Sequence, residues 1–266
     1  MTALTWDNVG ERVYQTGVDH GVLYLRDGDA VAWNGITGVE ESSTVELKSY
    51  YLEGVKYLEM LVPGDFSGKL KAITYPPEFD SVNGILEAAE GLSLYEQPPK
   101  QFNLSYRTKV GDDIQGLDLG YKIHLLYNVL AKPEAVAFNS ISDQTQPVEF
   151  VWSLTGTPDR LPRARPTCHA TIDSRTTPPE ILELIENQLY GTEVTPPNMP
   201  SLADLAEYFG YLGALIIVDN GNGTWTAIDE GDAYIGMFDA TTFVIDNVDG
   251  TYLDENTYTI SSTNVS

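Results

Sequence analysis

The chain has 266 residues, 42% of them apolar and 11% aromatic, which predicts one large or two modest folded domains rather than a disordered polymer. Fifteen Lys and Arg face 39 Asp and Glu, and the net charge of -24 excludes a basic nucleic-acid clamp at whole-chain level. The one cysteine, Cys168, excludes an intrachain disulfide and a cysteine zinc cluster.

In chain order, Met1 to Gly10 carries Asp7 and no apolar signal region, so the expectation is a soluble protein made without secretion. Strands follow. Val22 to Leu25 is a short apolar run after a glycine, and Val31 to Val39 comes after the turn-like Asp27-Gly28-Asp29. Val55 to Val62 is a mixed apolar run. Lys69 to Tyr75 sets Leu70, Ala72 and Thr74 against Lys69, Lys71 and Ile73, and stops at Pro76-Pro77. Gln101 to Thr108 puts Phe102, Leu104, Tyr106 and Thr108 on one face and Asn103, Ser105 and Arg107 on the other, with Lys109 continuing that second face. Tyr121 to Leu130, Val148 to Leu154 and Thr167 to Ile172 complete the set. Alternating runs with turns between them predict a mainly β protein, an antiparallel sandwich or barrel.

Two helices come next. Pro178-Pro179 opens Glu180 to Leu189, where Ile181, Leu182, Ile185 and Leu189 recur at helical spacing and Gly191 closes the turn. Thr192 to Pro200 holds three prolines and reads as a linker. Ser201 then caps Leu202 to Tyr211. The longest uninterrupted apolar stretch, Ala214 to Val218, is far short of the roughly 20 residues a helical membrane span needs. Beyond Arg175 there are 15 acids and no Lys or Arg, so a solvated acidic surface is expected there. The strand-rich end repeats Asp-Asn-x-x-Gly-Thr-aromatic at Asp219 to Trp225 and Asp246 to Tyr252, as two hairpin turns do.

Little chemistry can be read from motifs. His20, His124 and His169 show no ligand spacing, so His124 is expected to be a packed or interface histidine and no metal site is expected. Cys168 and His169 are adjacent in a predicted strand and point to opposite faces, so they cannot act as nucleophile and base. Asp219, Asp246, Asp249 and Asp254 offer hard oxygens for calcium, but turn chemistry explains them without an ion. Walker, dinucleotide and nucleophile-elbow patterns are absent, and neither a catalytic residue nor a cofactor is expected.

Several phrases in fixed order carry more. Trp6-Asp7-Asn8-Val9-Gly10-Glu11-Arg12 leads to Thr16-Gly17-Val18-Asp19-His20-Gly21-Val22-Leu23-Tyr24, then to Val31-Ala32-Trp33-Asn34-Gly35-Ile36-Thr37. Thr74-Tyr75-Pro76-Pro77-Glu78-Phe79, Leu104-Ser105-Tyr106-Arg107-Thr108-Lys109-Val110-Gly111-Asp112-Asp113 and Gly120-Tyr121-Lys122-Ile123-His124-Leu125 follow. Over residues 1–191 this succession resembles the major tail tube proteins of long-tailed, non-contractile bacteriophages. The resemblance implies a β-sandwich-like or barrel-like tube fold with a flanking α-helix. Rings, hexameric in that family, stack into a hollow tube that conducts DNA during ejection, without catalysis.

The implied organisation is a tube body over 1–191, a proline-rich linker and short helix over 192–210, and a small acidic strand-rich extension over 211–266. The implied partners are other copies of the chain, the tape measure protein, the tail terminator and distal tail proteins, with no membrane. The implied location is the virion tail, assembled in the bacterial host cytoplasm. Glu40, Glu41 and Glu46 are lumen or ring-contact candidates, and an acid-lined lumen lets DNA slide. Lys69 with Lys71, and Arg160, Arg163 and Arg165 in a proline-rich loop, are local basic patches; the arginines are assigned to contacts between subunits. The rival readings are a surface module that binds calcium or carbohydrate, and a β-rich glycosidase using a carboxylate pair.

Overall fold

The computed structural model describes residues 6, 8–26, 28–140, 147–161 and 164–211, and the backbone of strands within 216–247. For 43–46 and 61–65 it describes the backbone alone. The chain divides into two compact units, Met1–Leu202 and Ala203–Ser266.

The first unit is one rolled antiparallel sheet. Its strands are β1 (Tyr14–Leu25), β2 (Ala30–Trp33), β3 (Ile36–Leu52), β4 (Val55–Ala72), β7 (Phe102–Asp112), β8 (Gly116–Pro133), β9 (Phe150–Gly156) and β10 (His169–Asp173), in the order β2-β1-β7-β8-β9-β4-β3. A separate small hairpin joins β5 (Leu86–Ala89) to β6 (Leu92–Leu94). The long strand β8 serves two partners on its second edge. Lys122–Leu126 pair with β10, and Val129–Pro133 pair with β9.

The change of partner happens at Asn128. This residue has φ of 49°, the left-handed region that asparagine tolerates better than most residues. The ladder to β7 slips there, since Phe102 faces Val129 while Leu104 faces Leu126. The extra residue is a β-bulge, and it shifts the pleat. Before it Leu126 points into the roll; after it Val129 and Ala131 do. Four hydrogen bonds hold Asn128. Its N–H donates to Asn103 Oδ1 at 2.8 Å, its C=O accepts from Thr157 at 3.0 Å, its amide donates to Asp159 at 2.7 Å, and its Oδ1 accepts from Arg26 at 3.2 Å.

The interior of the roll is one apolar cluster that includes Leu23, Trp33, Leu70, Phe102, Leu104, Leu126, Trp152 and Leu154. A 3₁₀ turn over Pro77–Ser81 drives Phe79 into it, with ring centroids 4.5 Å from Trp33, 5.2 Å from Trp152 and 5.5 Å from Phe102. Both indoles keep hydrogen-bond partners there, as buried indoles require: Trp33 donates to the Thr74 carbonyl and Trp152 to Asn83. Gly21 makes the roll possible where β1 meets β3, because a Cβ there would stand 2.4 Å from Ile36 Cδ1.

Helix α1 (Pro179–Tyr190) covers the outer face of β1, β7 and β8. Ile185 and Leu189 are fully buried. Tyr24 donates to the Leu189 carbonyl at 2.8 Å, and Tyr121 donates to Glu186 at 2.8 Å. Ser105, predicted to face away from the core, is fully buried as well, beside the Tyr24 hydroxyl at 3.3 Å.

Several boundaries differ from the sequence expectation. Val31 to Val39 is two strands, split where Gly35 takes φ of 87°. The runs at Val55 and Lys69 are one strand, β4, running through Pro63. At Pro63 only β3 is paired to β4, so the missing N–H costs no bond to β9. The proline-rich stretch is docked, not free: Asn198 N–H donates to the Gln188 carbonyl at 2.7 Å, and Met199 and Pro200 are buried. Helix α2 (Leu202–Tyr208) ends three residues early, where Gly210 takes φ of 62°.

In the second unit an antiparallel sheet runs β11 (Ile216–Asp219), β12 (Thr224–Asp229), β13 (Asp232–Asp239) and β14 (Thr242–Phe243), with β15 (Asp246–Asn247) on β13. The strand-rich end is thus present. The repeated turns, Asp249 and Asp254 lie outside the described residues.

Candidate functional site

Two features stand out on this scaffold: an arm and a polar cluster. The arm is the far part of the β3–β4 hairpin. β4 pairs with β9 only from Ser67 to Ala72, so its residues before Ser67 pair only with β3. The two-residue turn Glu53-Gly54, with φ of 50° and 81°, closes the tip. At about 3.4 Å per residue the arm extends about 35 Å beyond the sheet. Many of its side chains are apolar and exposed: Tyr57 is 74% exposed, Val55 69% and Tyr51 66%, with Leu47, Tyr50, Leu52, Leu58 and Met60 also exposed, among the charged Lys48, Glu53, Lys56 and Glu59. A lone two-stranded hairpin is marginal in water, and exposed apolar side chains gathered in this number on one element mark an interaction site.

The polar cluster lies on the inward face of β7, β8 and β10, with Tyr106 and His124 buried, His169 half-buried and Glu41 exposed. Four residues along β7 from Phe102, Tyr106 faces His124 on β8, and their rings stack 4.7 Å apart. On the other side of β8, His124 faces Thr171, so His169 is its diagonal neighbour on the same face. The two imidazoles lie 5.9 Å apart and nearly parallel. Glu41 enters from β3. Its Oε1 lies 3.3 Å from His124 Nδ1 and 3.2 Å from His169 Nε2, and it accepts a hydrogen bond from the Tyr106 hydroxyl. His124 Nε2 meets the Thr108 hydroxyl at 3.0 Å. Its Nδ1 is buried and, although close to Glu41, makes no hydrogen bond.

Burial works to raise the Glu41 carboxyl, but His124, Tyr106 and His169 outweigh it and hold its pKa below the usual range. Burial pushes the His169 imidazole down, against the pull of Glu41. Burial, then the carboxylate, pushes the Tyr106 phenol far up.

On the outer face, Arg107 binds Asp19 at 3.0 Å, lies 3.7 Å from Glu186 and stacks over the Tyr121 ring at 4.5 Å. This ties α1 to the sheet. Burial and then Glu186 push the Tyr121 phenol up to about 12.

The acids singled out from sequence separate. Glu40 is exposed and pairs with Lys71 at 2.5 Å. Glu41 lies against His124, His169 and the Tyr106 hydroxyl. The Glu46 side chain lies outside the described residues. Lys69 pairs with Glu134 at 3.1 Å, so neither lysine of that patch is an uncompensated cation. Arg160 and Arg165 are exposed, and Arg163 lies outside the described residues. Cys168 is buried. The neighbourhood of Glu41, His124 and His169 escaped the sequence because strand pairing, not spacing, creates it. The histidines show no ligand spacing in the sequence, and the β8–β10 register brings His124 and His169 side by side. A cleft of about 550 Å³ lies between Tyr75, Tyr95, Phe138, Phe150 and Trp152, and among the described residues that line it Glu96 is the one carboxylate.

No protein-family model matches the chain, and no curated protein matches it. Among solved structures it is similar to the tube-terminating cap of the anti-feeding prophage, at 8% identity and a TM-score of 0.34, covering 65% of this chain and 97% of that one. It is also similar to a chain of the sheath-tube complex of PVC, an extracellular contractile injection system in its extended state, at 12% identity and a TM-score of 0.32, covering 58% and 88%. A chain of the six-fold symmetrised anti-feeding prophage baseplate aligns at 13% identity and a TM-score of 0.30, covering 64% and 97%.

Proposed function

We propose that this chain is the structural subunit of a phage-type tail tube. Copies join through the β3–β4 arm into rings, six to a ring as in the family the sequence resembles, and the rings stack into a hollow conduit for DNA. The observation that carries the reading is the arm. It is a long hairpin with many exposed apolar side chains and an unpaired edge on each strand, and a neighbouring copy can bury it. The ordered phrases from Trp6 to Leu125 support the same reading. The role is non-enzymatic, and the chain works in the virion tail after assembly in the host cytoplasm.

In this reading residues 1–191 form the tube body and 211–266 a peripheral acidic extension. Tape measure, terminator and distal tail proteins are the further partners. The exposed Arg160 and Arg165 meet acidic neighbours in adjacent subunits. Negative-stain microscopy of the purified protein tests the reading. Rings or tubes are expected, and a monodisperse monomer at high concentration contradicts it.

A further inference from the structure

We propose that Glu41, His124 and His169 form a binding site for a divalent transition metal, with Zn²⁺ the best fit. Two of the three donor–donor distances are those of a ligand set. Donors about 2.0–2.1 Å from a tetrahedral ion stand about 3.3 Å apart. Glu41 Oε1 is 3.3 Å from His124 Nδ1 and 3.2 Å from His169 Nε2, and the three donors all lie within 4.8 Å of one another.

The chemistry agrees with the geometry. Two imidazoles and one carboxylate suit zinc and its first-row neighbours and leave a fourth position open. His124 Nδ1 is buried, points at Glu41 and has no hydrogen bond to lose. A metal on Nδ1 makes Nε2 the protonated nitrogen, and the Thr108 hydroxyl 3.0 Å away can accept from it. The Tyr106 hydroxyl likewise orients Glu41. Such outer partners are the usual support of a metal site. Binding exchanges the contacts of His169 Nε2 with the Thr171 hydroxyl at 3.2 Å and with Glu41 at 3.2 Å, and that of the Gln15 amide with His124 Nε2 at 3.4 Å, for metal–ligand bonds.

The site has a structural consequence. Glu41 pairs with Gly68, beside Ser67, where the ladder from β4 to β9 ends. A metal there ties the root of the arm to β8 and β10. It does so whether or not the chain forms tubes, so the site stands apart from the functional reading.

The test uses tag-free full-length protein at pH 7.5. Zn²⁺ is titrated in competition with a chromophoric chelator, and Co²⁺ is followed by its visible spectrum. Wild type and His20→Gln, a histidine outside the cluster, are expected to bind one Zn²⁺ per chain. Co²⁺ is expected to give the intense bands of low coordination. Losing an outer partner costs about 10–100-fold in affinity, so His169→Gln and Glu41→Gln, which remove ligands, are expected to lose at least about 100-fold. Wild type that takes up no Zn²⁺ and gives no such Co²⁺ bands overturns the proposal. So does full affinity retained in both His169→Gln and Glu41→Gln.

Discussion

Asn128 shows how one residue directs the whole roll. With φ of 49° it bulges β8, moves the inward face from Leu126 to Val129 and hands the strand from β10 to β9. Asn128→Gly keeps the conformation and loses the side-chain bonds, whereas Asn128→Val also forces a β-branched residue into the left-handed region. The expected order of urea midpoints is wild type, then Gly, then Val, with Val lower by about 1–3 kcal/mol in stability. Asp19 carries a second prediction. Burial works to raise its carboxyl, but the Arg107 hydrogen bond and charge, aided by His20, hold it below its ordinary 3.8. A depressed folded pKa means that the stabilisation is complete above the ordinary value and fades as pH falls through the folded one. Thermal scans from pH 5 to pH 2.5 should therefore fall more steeply for wild type than for Asp19→Asn. Neither feature was legible in the sequence. The run from Tyr121 to Leu130 is apolar on both faces because α1 covers one of them, and alternation cannot reveal a bulge in such a run.

At the scale of elements, what periodicity could see was seen. The inward face of Phe102, Leu104 and Tyr106 is buried as expected, and so are Leu70 and Ala72. The amphipathic helix with Ile185 and Leu189 lies where its spacing put it. The arm was hidden: Val55 to Val62 reads only as a mixed apolar run, and nothing in its spacing shows that it stands away from the sheet. The exposure of its apolar residues follows from pairing that stops at Ser67, a long-range fact. The candidate metal site was hidden for the same reason, since β3, β8 and β10 meet only in the rolled sheet. The arm makes a clear prediction. Val55→Lys with Tyr57→Lys adds two charges at exposed positions and should leave the thermal midpoint within a few degrees, since exposed substitutions cost within about 0.5 kcal/mol. The same pair should abolish large assemblies in sedimentation velocity. Assembly that persists at wild-type levels takes the arm out of the contact.

At the scale of the molecule, charge and assembly meet. With 39 acids against 15 bases, and with Lys69 and Lys71 paired to Glu134 and Glu40, there is no cation excess to neutralise phosphates. Assembled tubes should therefore bind duplex DNA weakly even at low salt in a filter-binding titration. Submicromolar affinity that falls steeply with salt, and vanishes when Arg160, Arg163 and Arg165 are replaced, contradicts a passive conduit. The most direct test of the central claim is a three-dimensional cryo-electron microscopy map of the assembled protein. The account predicts stacked rings around an open lumen, with each β3–β4 arm seated on the neighbouring subunit and residues 211–266 on the outside. A map in which the arms stand free and subunits join through other surfaces, or a sample that stays monomeric at high concentration, contradicts it.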